Sequence, residues 1–490
     1  MVNLGPKAPP QRRGSLCYIP PAIHERIEHY EKLFGVSTEQ LKKITEHFVA
    51  ELDKGLSKEG GSIPMNVAWV LDYPTGKETG KYLALDMGGT NLRVAEIILN
   101  GDRTFDVVQS KYHMPANTKT SSAENLWGYV ADCVGKFIDQ YHEGATDQLM
   151  MCFTFSYPCT QESIGHGVLQ RWTKGFDIDG VEGHDVVPML QSALDERKIP
   201  VKCAALINDT TGTLVASNYV DPRTKMGCIF GTGCNAAYYD VVKNIPKLEG
   251  LVPDDISPDS WCAINCEYGA FDNEHVSLPR TKFDDHLDKH SPRPNQQSFE
   301  KMIAGYTLGE ILRLVLLDEF EGGNIFEGQD ISKLQQPYVL DAAFLSKIET
   351  DPWENLMDTE ALFSEELGIE TNESERAMVH RLCELIGTRA ARLSMCGVAA
   401  MAKKMNMESA HAGADGSVFN KYPYFKQRAA RALADIFDWG DMPAEDHPIK
   451  VVAAEDGSGV GAGVIAALTK KRYESHKSIG IKGSNLDFSK

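Results

Sequence analysis

The sequence predicts an α/β protein with two lobes, and three observations lead to that prediction. A chain of 490 residues exceeds what one ordinary hydrophobic core organises, so at least two cores are expected. Short apolar runs alternate with segments of helical periodicity, which is typical of mixed α/β folds. A hairpin pattern of apolar strand, Gly/Thr turn, asparagine and second apolar strand occurs twice, about 145 residues apart. This repetition indicates two lobes of related design.

Composition and charge narrow the class of protein. With 42% apolar and 24% charged residues, the chain is typical of soluble globular proteins. Sixty-nine acidic and 50 basic side chains give a formal net charge of -19, which disfavours binding to nucleic acid or to an anionic membrane. The 11 cysteines contain no C-x-x-C pair and predict reduced thiols. Because no signal peptide and no membrane-spanning run is evident, we expect a cytoplasmic protein without a membrane anchor.

The chain divides into five predicted segments. The first is Pro-rich and basic and predicts a flexible N-terminal arm, in which Ser15 follows two arginines and is a candidate phosphorylation site. The second begins its helical pattern near Pro21 and contains a capping box at Ser37 and Gln40. The predicted segments are the arm (1–20), helices that pack on the larger lobe (21–74), the smaller lobe (75–207), the larger lobe (208–457) and a C-terminal helix that returns to the smaller lobe (458–490).

Both hairpins present a Gly-rich turn that suits phosphate. Glycines let the backbone approach phosphate oxygens, and successive N–H groups with a threonine hydroxyl can cradle them. Asp86, beside the first turn, could hold Mg²⁺ through water, because Mg²⁺ keeps several of its waters. A double glycine between strands can also be only a tight turn, an alternative that the second copy makes less attractive. The candidate phosphate-binding residues are Asp86, Gly88, Gly89, Thr90, Asn91 and Arg93 in the first turn and Gly231, Thr232 and Gly233 in the second.

Two further Gly-containing turns complete the predicted nucleotide site. The turn at 456–461 lies between a predicted strand at 449–454 and a predicted helix at 462–471. Its glycine spacing is a weak dinucleotide-binding pattern, but the chain ends about thirty residues later and leaves no room for a complete βαβ unit. A nucleotide-facing turn at a helix N-terminus fits better. The candidate residues are Gly457, Ser458 and Gly459, with Asp415, Gly416 and Ser417 from a neighbouring turn.

Asp209 is the candidate catalytic residue. An apolar strand at 204–207 delivers Asn208 and Asp209 to the start of a helix, and ligands of open α/β sheets bind at that edge. Helix N–H groups favour the ionised carboxylate, which could accept a proton from a substrate hydroxyl. The alternative is that Asp209 is only an N-cap, a role for which aspartate is among the preferred residues. The Gly-rich turns elsewhere in the chain favour the catalytic interpretation.

Seven strings, in chain order, resemble the hexokinase family and its fungal members in particular. They are LALDMGGTNLRV, FTFSYP, LQRWTKGFDI, LINDTTGTLVAS, IFGTGCNAAYYD, INCEYGAFDNE and AEDGSGVGAG, and the likeness extends from about Gly14 to Leu468. The resemblance implies an actin-like ATPase (ribonuclease H-like) fold with two lobes around a central cleft. It also implies transfer of the γ-phosphoryl group of ATP, with Mg²⁺, to the 6-hydroxyl of glucose or of a related hexose such as fructose or mannose. The enzyme would be a monomer or a homodimer.

The resemblance further assigns residues. It matches Asp209 to the family's catalytic base and places Lys174 at both the catalytic and the sugar site. Cys152 and Gly165 depart from the family pattern beside the sugar loop, which puts sugar preference in question but not the class of reaction. The other sugar contacts it implies are Ser156, Thr173, Asn208, Asn235, Glu267 and Glu300, whose carboxylates and amides can accept hydrogen bonds from sugar hydroxyls.

A cleft that excludes water until sugar binds would have to close, and the candidate hinges are 74–80, 207–208 and 455–457. Two other functions remain open at this point. One is a catalytically weak sugar sensor, against which the intact Asp209 and both phosphate turns argue. The other is an actin-like or chaperone-like ATPase switch, for which the sugar contacts would be superfluous.

Overall fold

A computed structural model describes residues 19–142, 144, 147–172 and 176–484. Nearly all of the predicted arm at 1–20, with Ser15, lies outside these described residues, as do Thr173 and Lys174. Two large β-sheets each form the centre of one lobe. The α/β class and the two-lobed architecture predicted from the sequence are therefore confirmed.

The strands, in chain order, are Asn66–Leu71 (β1), Thr79–Met87 (β2), Asn91–Asn100 (β3), Phe105–His113 (β4), Leu149–Phe155 (β5), Cys159–Thr160 (β6), Val168–Leu169 (β7), Val201–Ile207 (β8), Thr224–Phe230 (β9), Cys234–Val241 (β10), Trp261–Asn265 (β11), Ala410–Asp415 (β12) and Ile449–Ala453 (β13). The α-helices are Pro21–Phe34 (α1), Thr38–Leu56 (α2), Ala123–Tyr141 (α3), Val186–Glu196 (α4), Asp209–Val220 (α5), Lys282–His290 (α6), Ser298–Ile303 (α7), Gly305–Glu321 (α8), Ala342–Glu349 (α9), Met357–Leu362 (α10), Glu373–Lys404 (α11), Ser417–Lys421 (α12), Phe425–Phe437 (α13) and Ala462–Glu474 (α14).

The two lobes share one strand order, which is the physical basis of the sequence repeat. The smaller sheet has the order β4-β3-β2-β5-β8 and the larger β1-β11-β10-β9-β12-β13. In each, a three-stranded antiparallel meander is extended by two strands that add in parallel beside the meander's first strand. Strand β1 is an additional antiparallel partner of β11. The predicted hairpins are β2–β3 and β9–β10, whereas β1 and β4 were not predicted.

Alternation along the strands of the smaller sheet produces two cores. Leu83 and Leu85 of β2 belong to a cluster with apolar residues of α3 and α4. Ala84 faces the opposite way and belongs to a cluster that also contains residues of α14 and the larger lobe. Successive residues of a strand point to opposite faces of the sheet. Because both faces are covered, the second half of β2 is buried on both sides. The smaller sheet is therefore a layer between its own outer helices and the interior of the molecule.

Helices α1 and α2 pack on α11, and α2 also packs on α13 of the larger lobe. The predicted capping box forms, since Ser37 Oγ accepts from Gln40 N (3.2 Å) and Gln40 Oε1 accepts from Ser37 N (2.8 Å). The polar segment at 282–297 contains α6. Among residues 19–142, 144, 147–172 and 176–484, we find no helix that is both long and apolar enough to cross a membrane.

Helices α5 and α14 lie between the two sheets. Every residue of α5 from 210 to 219 is buried, and α14 packs on β2, β5 and β8 of the smaller sheet. Helix α5 contacts the turn before α14 through glycines. A Cβ on Gly212 would lie 2.4 Å from the Gly457 carbonyl oxygen, and a Cβ on Gly461 would lie 2.1 Å from the Gly212 carbonyl oxygen. No larger residue fits there without displacing backbone. Asp209, in the first turn of α5, is thus placed where the lobes meet.

Candidate active site

Asp209 lies at the N-terminus of α5, directly after β8. The N-cap of α5 is Asn208, whose Oδ1 accepts from Thr210 N (2.9 Å), so the interpretation of Asp209 as the N-cap is wrong. Asp209 is the first helical residue, and its Oδ1 accepts from the backbone N (2.8 Å) and the Oγ1 (3.2 Å) of Thr210. Among the described residues, none donates a hydrogen bond to Oδ2. One carboxylate oxygen is therefore fixed by Thr210, and the other makes no hydrogen bond with a described residue.

Asn208, Asn235 and Glu267 form one hydrogen-bonded group. Asn235, at the start of β10, donates from Nδ2 to Glu267 Oε1 (3.0 Å) and at 3.5 Å to Asn208 Oδ1. Its Oδ1 accepts from the Glu267 backbone N (2.9 Å). Glu267 has a left-handed backbone with φ 57°, which is unusual for a residue with a side chain and is typical of ligand sites. The sequence-predicted sugar residues of the larger lobe therefore converge beside Asp209.

Asn265 is a member of this group that sequence reasoning missed. It ends β11, is 8% exposed, donates from Nδ2 to Glu267 Oε1 (2.8 Å) and accepts from Asn235 Nδ2 (2.8 Å). Its position follows from the register of β10 and β11, in which it pairs with Ala237. An asparagine at the end of an otherwise apolar strand was the available signal. Its amide orients the Glu267 carboxylate.

The Glu267 carboxyl group has a pKa raised to about 7, and the main cause is burial. The Asn265 hydrogen bond lowers this pKa, while the negative charges of Asp209 and Glu300 raise it. Burial also raises the pKa of Glu300, against the hydrogen bond that Glu300 Oε2 accepts from Cys234 N (2.9 Å). Two carboxylates with little solvation are thus aimed at one space, where hydroxyl donors would stabilise their charge.

Glu300 also connects the sugar group to the second phosphate turn. A Cβ on Gly233 would lie 2.6 Å from Glu300 Oε2, so a larger residue at this position of the turn would displace the Glu300 carboxylate. Gln297, which sequence reasoning missed, lies beside them: its Oε1 is buried, has no hydrogen-bond partner among the described residues, and would be 2.7 Å from a Cβ on Gly269. A buried amide oxygen is rarely left without a donor. A ligand hydroxyl would satisfy it.

The second and third Gly-containing turns are neighbours. Gly231 N donates to Gly233 O (2.9 Å) and closes the second turn, whose Thr232 is exposed. Gly416 has φ 108°, and a Cβ there would lie 2.4 Å from Phe230 O, at the start of the same turn. Asp415 Oδ1 accepts from Gly416 N (2.7 Å). The structure therefore brings the two predicted nucleotide-binding segments 231–233 and 415–417 together.

The first and fourth turns meet through Arg93. Its Nη1 and Nη2 donate to the two carboxylate oxygens of Asp456 (2.7 and 2.6 Å), and Nη2 also donates to Ser458 Oγ (2.9 Å). Arg93 belongs to β3 of the smaller lobe, opposite Asp86 on β2. Asp456 was not among the predicted site residues, although it stands in the quoted motif. A role for Arg93 toward phosphate stays a prediction, since its guanidinium already has a protein partner.

Asp86 lies near the end of β2, beside the first turn and opposite Arg93. Burial raises the pKa of Asp86, which the hydrogen bond from Ser458 and the positive charge of Arg93 oppose, while the charges of Asp209 and Asp456 raise it further. The described residues contain no group of three or more His, Cys, Asp or Glu side chains that could hold a metal ion on its own. A single carboxylate beside a phosphate-binding turn suits Mg²⁺ held through water and shared with phosphates, so Asp86 fits the predicted role.

Two sequence-predicted features of the smaller lobe have different outcomes. Ser156 lies directly after β5, which pairs in parallel with β8 in the smaller sheet, so it lies at the same sheet edge as Asn208 and Asp209 after β8. Cys152, whose departure from the family pattern was expected to affect the sugar site, is fully buried on β5 in the same cluster as Ala84 and Ala205. Its side chain packs in the core, and an effect of this position on sugar preference stays a prediction.

The fold and the site define a class of protein: a two-lobed α/β sugar kinase. Family models described as hexokinase match residues 26–219 and 225–468. The chain is 59% identical to a hexokinase of Kluyveromyces lactis (99% of this chain, 100% of the relative) and 56% identical to Hexokinase-2 of Saccharomyces cerevisiae (99% and 100%). A solved structure of Schistosoma mansoni hexokinase complexed with glucose matches with a TM-score of 0.81 and 33% identity over 91% of this chain and 98% of that one.

This protein belongs to the hexokinase family. It is an enzyme that phosphorylates a hexose, with a nucleotide as the phosphoryl donor. The resemblance stated from the sequence strings, the actin-like fold class and the class of activity are thereby confirmed.

Proposed function

We propose that this enzyme transfers the γ-phosphoryl group of MgATP to the 6-hydroxyl of glucose and related hexoses, with Asp209 as the general base. The observation that supports the proposal most directly is the position of Asp209. Its Oδ1 is held by Thr210, its Oδ2 is free among the described residues, and it lies between the Asn235–Glu267 group of the larger lobe and Asp86 of the smaller lobe.

The sugar would bind on the larger lobe through acceptors. Asn208, Asn235, Glu267 and Glu300 offer amide and carboxylate oxygens to a ring of hydroxyl donors, and Glu267 and Glu300 are desolvated enough to gain from such donors. Ser156, Thr173 and Lys174 would complete the contacts from the smaller lobe; the last two lie outside the described residues. Glucose, fructose and mannose share the primary hydroxyl that reacts, so all three are proposed substrates.

The nucleotide would bind along the four turns, with backbone N–H groups toward its phosphates. Mg²⁺, when bound with ATP, would be held through water by Asp86 and would neutralise phosphate charge. Asp209 would accept the proton of the 6-hydroxyl as its oxygen bonds to phosphorus, and the remaining residues would orient the two substrates and exclude water.

We also propose that the lobes close on the sugar. The chain passes between lobes near 74–80, at 207–208 and at 455–457, the last two next to the glycine contact of α5. Closure would bring the smaller lobe's turns and Ser156 toward the larger lobe's sugar group. We also propose the boundaries of the five predicted segments and a monomeric or homodimeric state. A cytoplasmic location is proposed because the ten described cysteines are all free.

Asp209→Asn tests the catalytic proposal. Asparagine can still accept from Thr210 N, but it cannot take the substrate proton. We expect kcat for glucose phosphorylation to fall by about 10²- to 10⁴-fold, while glucose binding measured by calorimetry changes little. The matched control is Asp139→Asn, on the exposed surface of α3. If Asp209→Asn phosphorylated glucose, fructose and mannose at the wild-type rate, the proposed mechanism would be refuted. If ATP turnover did not depend on the presence of sugar, the proposed function would be refuted.

A further inference from the structure

Arg103 joins the smaller lobe to the end of α5 that lies farthest from Asp209. It stands in the turn between β3 and β4, and its Nη1 donates to the carbonyl oxygens of Tyr219 (2.7 Å) and Asn218 (3.4 Å) in the last turn of α5. The last carbonyl groups of a helix have no partner within the helix and carry partial negative charge, which suits a guanidinium group. Arg103 therefore caps the C-terminus of α5 from the smaller lobe.

The larger lobe holds the same end of α5. Asn218 is 1% exposed, and its Nδ2 donates to Thr224 O (2.6 Å) at the start of β9. Thr224 N donates to Asp221 O (2.9 Å), which closes the turn that follows the helix. The C-terminus of α5 is thus fixed to the larger sheet, and the contact that Arg103 makes with it crosses between the lobes.

The connection at 74–80 holds both the backbone and the guanidinium group of Arg103. Arg103 N donates to Gly76 O (3.0 Å), and Nη2 donates to Thr75 O (2.9 Å). A Cβ on Gly76 would lie 2.7 Å from Arg103 Cζ, so a larger residue at 76 would displace the guanidinium group. Glu78 closes the connection on itself, since its Oε1 accepts from Thr75 N and its Oε2 from Gly76 N, each at 2.8 Å. The guanidinium group is therefore held between this connection and α5.

Strand β3 is attached by an arginine at each of its ends. At its start, beside the first phosphate turn, Arg93 donates to both carboxylate oxygens of Asp456. Just beyond its other end, Arg103 binds Tyr219 O, which lies roughly 15 Å along α5 from Asp209 at a rise of about 1.5 Å per residue. One contact would leave the strand free to swing, whereas two separated contacts fix its direction. The strand that begins at the first phosphate turn is thus oriented against the helix that carries Asp209.

Orientation is what phosphoryl transfer needs most from a protein, because the reaction depends on how the two substrates are placed. We propose that Arg103 is a positioning residue for this reaction, which sets the direction from which the first phosphate turn meets Asp209. This inference rests on the proposed function. The guanidinium group lies at the end of α5 opposite to Asp209, remote from the sugar group and from the turns at 231–233 and 415–417. It therefore acts on the rate of transfer and not on the binding of either substrate.

The experiment separates the rate of transfer from substrate binding. For full-length wild type, Arg103→Met and Arg103→Gly, kcat and the KM values for glucose and ATP are measured, and urea unfolding verifies that each variant is folded. Methionine keeps the apolar stem, and glycine suits the left-handed backbone at this position, φ 68°. We expect kcat to fall by about tenfold to a hundredfold in both variants, while both KM values change by less than about twofold. Arg103→Lys, which keeps the charge and one donor group, should recover part of kcat.

Arg197→Met is the matched control. Arg197 lies within the smaller lobe between α3 and α4, where its Nε donates to Asp132 Oδ1 (2.6 Å) and its Nη1 to Ala193 O (3.2 Å). Its loss should lower the unfolding free energy and leave kcat within about twofold of wild type.

Three results would overturn the inference. They are a wild-type kcat in the folded Arg103 variants, a rise in either KM as large as the fall in kcat, and an equal fall of kcat in Arg197→Met. The first would show that the contact does not orient the phosphate turn, the second that it serves binding, and the third that any loosening of the smaller lobe slows the reaction. The proposed function is judged separately, by whether wild type converts glucose and ATP to hexose 6-phosphate and ADP.

Discussion

Replacing Glu267 with glutamine should stabilise the sugar-free protein at alkaline pH. Burial raises the pKa of Glu267 from its ordinary 4.5 to about 7, so the folded protein prefers the protonated form more than the unfolded chain does. The group's contribution to stability is fully present below pH 4.5 and is lost as the pH rises through 7. A pKa change of this size corresponds to about 3 kcal/mol of unfolding free energy.

The assay is urea unfolding of wild type and Glu267→Gln at pH 5 and pH 8 without sugar. Glutamine Oε1 can still accept from Asn235 and Asn265 (3.0 and 2.8 Å in wild type), so the hydrogen bonds to this oxygen are kept and the charge is removed. We expect the variant to be more stable by about 3 kcal/mol at pH 8 and by about 1 kcal/mol or less at pH 5.

Glu124→Gln, on the exposed surface of α3, is the control and should show no such pH-dependent gap. A gap between Glu267→Gln and wild type that is equal at the two pH values, or a variant that is less stable at pH 8, would refute the reasoning. Either result would mean that the Glu267 carboxylate is well solvated in the sugar-free protein.

Two further predictions concern the turns. Gly233→Ala places a Cβ 2.6 Å from Glu300 Oε2, so we expect the unfolding free energy, measured by urea titration, to fall by about 2 kcal/mol. The control is Thr232→Ala, on the exposed neighbouring residue, which should change the unfolding free energy little. Equal stability of Gly233→Ala and wild type would contradict this prediction. Arg93→Lys keeps the positive charge but loses the bidentate contact with Asp456. We expect the KM for ATP to rise by about fivefold and the KM for glucose to stay unchanged. A parallel rise in both constants would argue against a role of Arg93 in nucleotide binding.

The parts of the fold that were predicted correctly depend on local patterns. The two hairpins combine period-2 alternation with a Gly turn, and both features act within about twenty residues. Strands β1 and β4 were missed because their assignment depends on distant partners. β1 is a short apolar run that becomes a strand by pairing with β11, almost 200 residues later, and β4 is mostly exposed and gains its place by pairing with β3.

Site residues that lie within the motif strings could be predicted from the sequence, whereas site residues positioned by strand register could not. Asp209 was identified from its position between a strand and a helix, Asn235 and Glu267 were identified from the resembling strings, and the structure brings the three together. Asn265 joins them because β10 and β11 pair in a register that single-sequence reasoning does not provide. Gln297 was missed for a similar reason, since its contact with Gly269 depends on how the segment before α7 packs against that residue.

The glycine contact between α5 and the turn at 457–461 limits what a rotation of the lobes can change. Asp209 is one helical turn from Gly212, and α5 packs on the larger sheet, so Asp209 keeps its distance to Asn235 at any opening angle. A hexose that docks on the larger lobe would therefore meet its proton acceptor immediately. Asp86 and Ser156, on the smaller lobe, would come close to the hexose only after the lobes close. If the lobes close as proposed, we expect an ordered sequence in which the monosaccharide binds before the triphosphate reaches it.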